Sequence, residues 1–387
     1  GRARRRRVTA VSANQVRAAP AQLAALGNSI GGAKVQYRVV RETYYPWRFG
    51  YYGHFPVRSS MEITNGTTFT DDEGNFFIEF EAMPDHTIPS RFKPAFRYTV
   101  HASVTDINNE TQSGISYVSV GTQALQIELG IGEVENTQDF TAIPFRVTNL
   151  NGQAVSAKGK VTIMLLEEPD RLLREQLWSH PDVFVMEQED FIRDFPFDSY
   201  SKENEPASLK VSSIALEQDF DSRIDTAISL AGAKSWKPGR YRIKVESKDE
   251  FGADVEIEQY FILFSPEDKK PPIHEMNWFY VLKNRCEPGE NARFVMGTKD
   301  RKVSVLYEVV HKENVIKSEW MVLDDEQRLI EIPVTEAYRG GFKVNLLFVK
   351  HNRIFSNNFG VDVPYTNKEL DVEFISFRNK LLPGQEE

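Results

Sequence analysis

Cysteine is nearly absent from this sequence, since Cys286 is the only one among 387 residues. No disulfide can therefore form within the chain, and its fold must be held together by hydrophobic cores. A lone thiol could in principle be a nucleophile, but Cys286 lies in a turn-like stretch, 284–289, with no histidine close to it in the sequence. The sequence therefore favours an incidental cysteine over a reactive one.

The residue patterns that carry most enzymatic and metal chemistry are also missing. The seven histidines are scattered without His-Glu-x-x-His spacing, and there is no paired cysteine motif. Phosphate-binding glycine loops and the Gly-x-Ser-x-Gly elbow are absent as well. The acidic stretch 71–75 lacks the closing glutamate of a calcium loop, so it favours a hairpin turn. We predict no catalytic residue, no metal site and no cofactor, although two of the many carboxylates could still meet in the fold.

Long apolar runs and a basic surface are missing too. No stretch approaches the roughly 20 apolar residues of a membrane-spanning helix, and the first residues show no secretory signal pattern. The net charge of -9 argues against a general affinity for nucleic acid. The exception is the stretch 1–7, whose five arginines are typical of a solvated arm and could alternatively bind phosphate.

Short runs in which apolar and polar residues alternate dominate the sequence, and Asn-Gly, Asp-Gly and Pro-Gly turns separate them. Such alternation is typical of a β-strand with one buried face. Fifteen runs predict strands: 35–41, 76–81, 96–105, 114–120, 125–129, 142–147, 160–166, 240–246, 255–264, 293–296, 304–310, 316–323, 329–334, 342–349 and 354–363. Short strands at this spacing predict an all-β chain of antiparallel sandwiches.

One hairpin recurs three times, at 97–120, 240–263 and 341–362. In each copy an aromatic residue opens a long strand, a polar turn reverses the chain, and a second strand ends on alternating apolar residues. Each copy is therefore predicted to close one sandwich.

The hairpins divide the chain into consecutive modules. A Pro-Gly marker at 288–289 returns at 383–384, one sandwich length later, so we expect a further module to begin near the end of the chain. The predicted boundaries are 1–122, 123–265, 266–365 and, for the first strand of that further module, 366–387.

The second module is too long for seven strands, and its excess lies in an acidic insert at 167–205. Apolar residues at helical spacing predict two short helices there, at 172–178 and 187–195. The insert either covers one edge of a sandwich or binds a partner.

An aromatic segment at 44–55 has no alternation that would bury its rings on one face. It is either buried at a domain junction or exposed as a contact surface for a glycan or a partner protein. The residues of that possible contact surface are Tyr44, Tyr45, Trp47, Phe49, Tyr51 and Tyr52.

Four stretches resemble macroglobulin-type domains of bacterial alpha-2-macroglobulin-like proteins: 32–41, 98–106, 237–241 and 365–370. The resemblance covers the chain from about residue 32 onward. It implies tandem, seven-stranded sandwiches of the fibronectin III or immunoglobulin type, from the N-terminal half of such a protein. It also implies a location in the bacterial cell envelope, either periplasmic or anchored to the outer membrane.

Proteins of this family inhibit endopeptidases by trapping them after a bait segment is cut. The resemblance therefore implies proteases and neighbouring macroglobulin domains as partners, and no enzymatic activity. In thioester members a Cys-x-Glu-Gln motif then couples to the protease, but Cys286 is followed by Glu287, Pro288 and Gly289. The bait and any thioester region are expected outside this chain. The alternative is an envelope adhesin or glycan-binding module that uses the aromatic segment.

Overall fold

The computed structural model describes residues 16–17, 31–44, 60–88, 94–106, 108–178, 181 and 183–368. The chain divides into two compact units. One consists of Gly1–Glu167 with Lys210–Ile262, and the other of Glu168–Leu209 with Leu263–Glu387. Each unit is built from antiparallel β-sheets.

The first sandwich contains six strands in the described residues: β1 (Val16–Arg17), β2 (Lys34–Tyr44), β3 (Ser60–Phe69), β4 (Glu79–Phe80), β5 (Ala95–Thr105) and β6 (Thr111–Gly121). Four of them form a sheet in the order β3-β2-β5-β6, and β1 pairs with β4. Alternate residues of β2 and β5, among them Val35, Val39 and Tyr98, face the core. The strand predicted at 76–81 is too long, because only β4 pairs there.

The second sandwich contains eight strands: β7 (Leu125–Leu129), β8 (Val134–Asn136), β9 (Ala142–Asn149), β10 (Lys158–Leu166), β11 (Val211–Asp221), β12 (Ala227–Ser229), β13 (Gly239–Lys248) and β14 (Asp254–Phe264). Its two sheets have the orders β11-β10-β13-β14-β8 and β12-β9-β7. Ile163 on β10 lies opposite Ile243 on β13, and both are fully buried.

The third sandwich contains seven strands: β15 (Trp278–Lys283), β16 (Asn291–Thr298), β17 (Val303–His311), β18 (Asn314–Leu323), β19 (Glu326–Pro333), β20 (Phe342–Lys350) and β21 (Arg353–Val361). They form a three-stranded sheet, β15-β16-β19, and a four-stranded sheet, β18-β17-β20-β21. Phe294, Tyr307 and Val344 are among the residues that fill the core between them. The predicted all-β class of antiparallel sandwiches is confirmed.

All three predicted hairpins form, as β5–β6, β13–β14 and β20–β21. In the first two turns, Oδ1 of Asp106 and of Asp249 accepts hydrogen bonds from the backbone N–H groups two and four residues later, at 2.8–3.0 Å. In the third, His351 and Asn352 adopt left-handed conformations with φ of 46° and 58°. Two such residues form the tight turn that suits the twist of a two-residue hairpin.

The insert of the second module contains one helix, α1 (Gln188–Asp194), which confirms the helix predicted at 187–195. The helix predicted at 172–178 is wrong. The backbone N–H of Arg174 donates to the carbonyl of Phe197 at 2.8 Å, and so the chain bonds to a distant segment. Apolar spacing alone does not decide helix formation where a tertiary partner takes the backbone hydrogen bonds.

Short 3-10 turns complete the described structure: Pro206–Ser208, Ala233–Ser235, Glu336–Tyr338 and Thr366–Lys368. The arginine-rich stretch 1–7 lies outside the described residues. So does the strand predicted within 366–387, beyond Lys368.

Candidate functional site

Of the six aromatic residues predicted to form a contact surface, only Tyr44 lies within the described residues. The other five fall in the stretch 45–59, outside them: Tyr45, Trp47, Phe49, Tyr51 and Tyr52. The proposed surface as a whole therefore stays a prediction, and Tyr44 shows where it begins. Tyr44 is the last residue of β2, on the face of the first sheet that points away from the core.

The register of the sheet brings Tyr44 close to a cation. Glu42 on β2 lies opposite Arg97 on β5, and Arg97 lies opposite Ser119 on β6. Tyr44 and Tyr117 are therefore diagonal neighbours of Arg97, one on each adjacent strand, at a spacing that long side chains can bridge. The guanidinium carbon lies 5.1 Å from the ring centre of Tyr44 and 5.3 Å from that of Tyr117, within the range of cation–π attraction.

The two tyrosines differ in exposure. Tyr44 is half-buried, and burial raises its pKa, although a hydrogen bond with Ser119 and the charge of Arg97 act in the opposite direction. Tyr117 is 59% exposed, and Ile115, two residues earlier on the same face, is 69% exposed. An aromatic and aliphatic surface of this kind beside a cation is suited to binding.

On the opposite face of the same sheet, Arg41 is buried among apolar residues. Its guanidinium forms an ion pair with Asp85 at 3.1 Å and donates to the carbonyl of Met83 at 3.0 Å. The hydroxyl of Tyr98 donates to the same carbonyl at 2.9 Å. These bonds fasten the chain around residues 83–85 to the sheet. The burial of Arg41 could have been predicted from the sequence, because Arg41 stands two residues after the buried Val39, on the face of β2 that points to the core.

The acidic insert is attached to the turn between β20 and β21, within its own compact unit. The guanidinium of Arg174 forms two hydrogen bonds with Asp198, at 2.5 and 2.6 Å, and donates a third to the carbonyl of His351 at 2.6 Å. The ring of Phe197 stacks on that of His351 at 3.6 Å. His351 in turn contacts Asp300 at 2.7 Å. The bond between Arg174 and His351 could not be predicted from the sequence, because 177 residues separate the two along the chain.

The insert also exposes apolar side chains away from these attachments: Leu177, Trp178, Val183 and Val185 are each more than 60% exposed. Both predicted roles for the insert, covering a sandwich edge and binding a partner, remain predictions. The structure adds that the insert lies against the tip of a hairpin.

Chemistry at the remaining candidate positions is limited. Cys286 is 1% exposed within the core of the third sandwich, and burial raises its pKa, which disfavours the nucleophilic thiolate. The acidic stretch 71–75 forms a turn, in which Oδ1 of Asp71 accepts the N–H groups of Glu73 and Asn75 at 3.1 and 2.7 Å. Among the described residues, no cluster of three or more histidine, cysteine or acidic side chains could hold a metal ion.

No helix in the described part of the chain is long and apolar enough to cross a membrane.

Comparison with protein families identifies one match. Residues 279–387 match the family model described as the alpha-2-macroglobulin bait region domain. No curated protein sequence matches the chain. From the resemblance we expect the bait region to lie outside this chain. The matching domain is named for the bait region and begins inside the chain, at β15, so this expectation is corrected for that domain.

The chain is also similar to several solved structures. Two are of Escherichia coli alpha-2-macroglobulin, one in its native conformation and one activated by trypsin, at 11% and 12% identity and TM-scores of 0.30 and 0.29. Each comparison covers 87% of this chain, which spans 21% and 22% of those proteins. A third is a tetra-tandem repeat from the extending region of a large adhesion protein, with 12% identity and a TM-score of 0.20, covering 87% of this chain and 68% of that one.

Proposed function

We propose that this chain belongs to the alpha-2-macroglobulin-like family, as the match over residues 279–387 supports, and that it is a structural part of a bacterial protein that traps endopeptidases. The family match is the observation that carries the proposal. Its partners are then proteases, reached through the full-length protein, and neighbouring macroglobulin domains. The proposed location is the cell envelope.

A scaffold must hold its modules in fixed positions, and the connections within each unit support this role. Gln327, which is 5% exposed, donates to the carbonyls of Ser265 and Asp268 at 2.9 and 3.0 Å and accepts from the indole of Trp278 at 2.7 Å. The buried amide of Gln327 on β19 is thus hydrogen-bonded both to the segment 265–268, which leads into the third sandwich, and to β15. Buried polar groups whose hydrogen bonds are all made favour one arrangement of the chain.

A similar connection joins the first and second sandwiches within their unit. The backbone N–H of Ala124 donates to Asp249 at 2.9 Å, and that of Ser119 donates to Asn151 at 2.8 Å. The short linker between β6 and β7 is therefore hydrogen-bonded to turns of the second sandwich. We propose on this basis that the modules 1–122 and 123–265 are rigidly connected domains rather than a flexible string.

The proposal assigns no covalent step to this chain. Cys286 is buried and is not followed by Glu-Gln, so coupling to a protease through a thioester would have to come from residues elsewhere.

Retention of a protease after cleavage tests the proposed function. The full-length protein is incubated with trypsin and separated by gel filtration, and trypsin activity on a small substrate should elute with the large protein. Trypsin whose active site has been blocked beforehand is the control and should elute by itself, because trapping requires a cut. Equal retention of both forms, or of neither, would overturn the proposal.

A further inference from the structure

The exposed face of the first sheet carries an arginine that two tyrosine rings hold in place. Arg97 lies between Tyr44 and Tyr117, 5.1 and 5.3 Å from their ring centres. Within the part of the chain that the structure describes, Arg97 forms no ion pair with a carboxylate. Because the rings restrict the side chain, little conformational entropy is lost when an anion binds to it.

The corresponding face of the second hairpin is different, because its cations are paired within the chain. Arg242 on β13 lies 3.7 Å from Glu258 on β14, and Lys244 lies 2.9 Å from Glu246. Arg97 on the first hairpin differs from these two cations, because it forms no ion pair within the described residues, although Glu42 lies opposite it on β2.

Aromatic and aliphatic side chains lie near this charge, and hydroxyl groups lie further along the same face of the sheet. Tyr117, a diagonal neighbour of Arg97, is 59% exposed, and Ile115, the next residue on the same face of β6, is 69% exposed. Pairs of hydroxyl groups continue along the same face of β5 and β6: Ser103 with Ser113 at 2.9 Å, and Thr105 with Thr111 at 3.0 Å. A sugar ring can stack its C–H groups on an aromatic ring, exchange hydrogen bonds with hydroxyl groups and, if it carries a carboxylate, pair with a guanidinium.

We propose that Tyr44, Arg97, Ile115 and Tyr117, together called the Arg97 surface, bind a saccharide chain that carries carboxylate groups. Glu42 lies opposite Arg97 on β2 and repels an anion from that side. The ligand therefore approaches from the side of β6, over the exposed ring of Tyr117. The site lies on an open sheet face, which suits a polymer. The proposal does not depend on protease trapping.

Affinity electrophoresis of the chain in gels that contain polygalacturonate tests the proposal. Polygalacturonate should retard the wild-type chain, and neutral dextran should not. Arg97→Ala should weaken binding about tenfold, as expected for loss of one charge-assisted contact. Tyr117→Ala should also weaken binding, whereas Tyr117→Phe, which keeps the ring, should bind like the wild type. Added salt should weaken binding of the wild type because the contact is exposed.

Lys343→Ala is the matched control, because Lys343 is an exposed cation on the first strand of the third hairpin. It should bind like the wild type. Equal retardation of the wild type and Arg97→Ala, or retardation by dextran, would overturn the proposal. Retardation by polyglutamate without retardation by polygalacturonate would mean that an acidic polypeptide is recognised, and would overturn it as well. Circular dichroism checks folding, and Arg97→Gln replaces Arg97→Ala if that variant does not fold.

Discussion

At the scale of single residues, each sandwich buries one tyrosine almost completely. Tyr98, Tyr241 and Tyr307 are at most 1% exposed. The hydroxyl of Tyr241 donates to the carbonyl of Lys237 at 2.7 Å, in a bond that ties the start of β13 to the preceding loop. Because burial disfavours the charged phenolate, it raises the pKa of all three tyrosines to about 12.

These tyrosines predict a loss of stability at alkaline pH. An unfolded tyrosine has a pKa of about 10, so between about pH 10 and 12 the folded chain binds more protons than the unfolded chain. The free energy of unfolding should therefore fall as the pH rises through this window. Urea unfolding at a series of pH values measures it. The fall should be shallower in Tyr241→Phe, and a free energy that stays constant between pH 10 and 12 would contradict the prediction.

At the scale of elements, the sequence predicted the alternation of buried and exposed residues along most strands and the positions of the hairpin turns. It did not predict two long strands, β3 and β11. β3 was missed because Asn65-Gly66 has the composition of a turn. Gly66 lies inside the strand instead, opposite Tyr37 on β2, whose hydroxyl is 2.7 Å from where a Cβ would stand and so leaves room only for glycine. β11 was missed because it is an edge strand with mostly exposed residues, which weakens its alternation.

The hairpin turns predict unequal effects of one substitution. Asp249 is 9% exposed and also accepts the N–H of Ala124, whereas Asp106 is part of an exposed turn. Asp249→Ala should therefore lower the free energy of unfolding by about 2–3 kcal/mol, because it leaves buried N–H groups without partners. Asp106→Ala is the matched control and should cost about 1 kcal/mol or less. Urea unfolding compares them, and equal losses would contradict the prediction.

The insert depends on a few contacts for its position. Arg174 is largely buried and bonded to Asp198 and to His351, and its pKa is raised chiefly by the hydrogen bond to Asp198. Arg174→Ala should release the insert from the hairpin tip and leave the sandwich core intact. Limited proteolysis should then cut within 171–209 several times faster.

Arg193→Ala is the control for this experiment, because Arg193 is exposed and, among the described residues, forms ion pairs only with Asp190 and Asp194 near it on the helix. Exposed pairs of this kind contribute about 0–1 kcal/mol. Its proteolysis should match that of the wild type. If both variants are cut at the same rate, Arg174 does not hold the insert.

At the scale of the whole molecule, the first and the third sandwich each have a hydrophobic core of their own among the described residues. The core of the third sandwich is formed by residues between Cys286 and Val363, and that of the first by residues between Val35 and Val118. The chain passes between the two compact units three times, after Glu167, Leu209 and Ile262.

Because the two sandwiches have cores of their own, a substitution in one core should destabilise that sandwich and leave the other unchanged. Phe294 is fully buried, and Phe294→Ala should destabilise the third sandwich by about 3–5 kcal/mol through loss of contacts and the cavity left behind. Hydrogen exchange should speed up in β16–β21 and remain unchanged in β5 and β6. Val39→Ala in the first core should do the reverse. If exchange rises in both sandwiches for either variant, the cores are not independent.

The sequence by itself determined the all-β class, the three hairpins and one helix of the insert, because alternation, turn residues and helical spacing act between neighbours along the chain. Tertiary structure alone decided that Gly66 lies within a strand, that 172–178 is not helical, that Arg174 bonds to His351 and that Arg97 lies between Tyr44 and Tyr117. Each of these depends on a partner from a distant segment. The physical reason is that sheet register and packing set which residues meet across the fold, and local propensity carries little information about them.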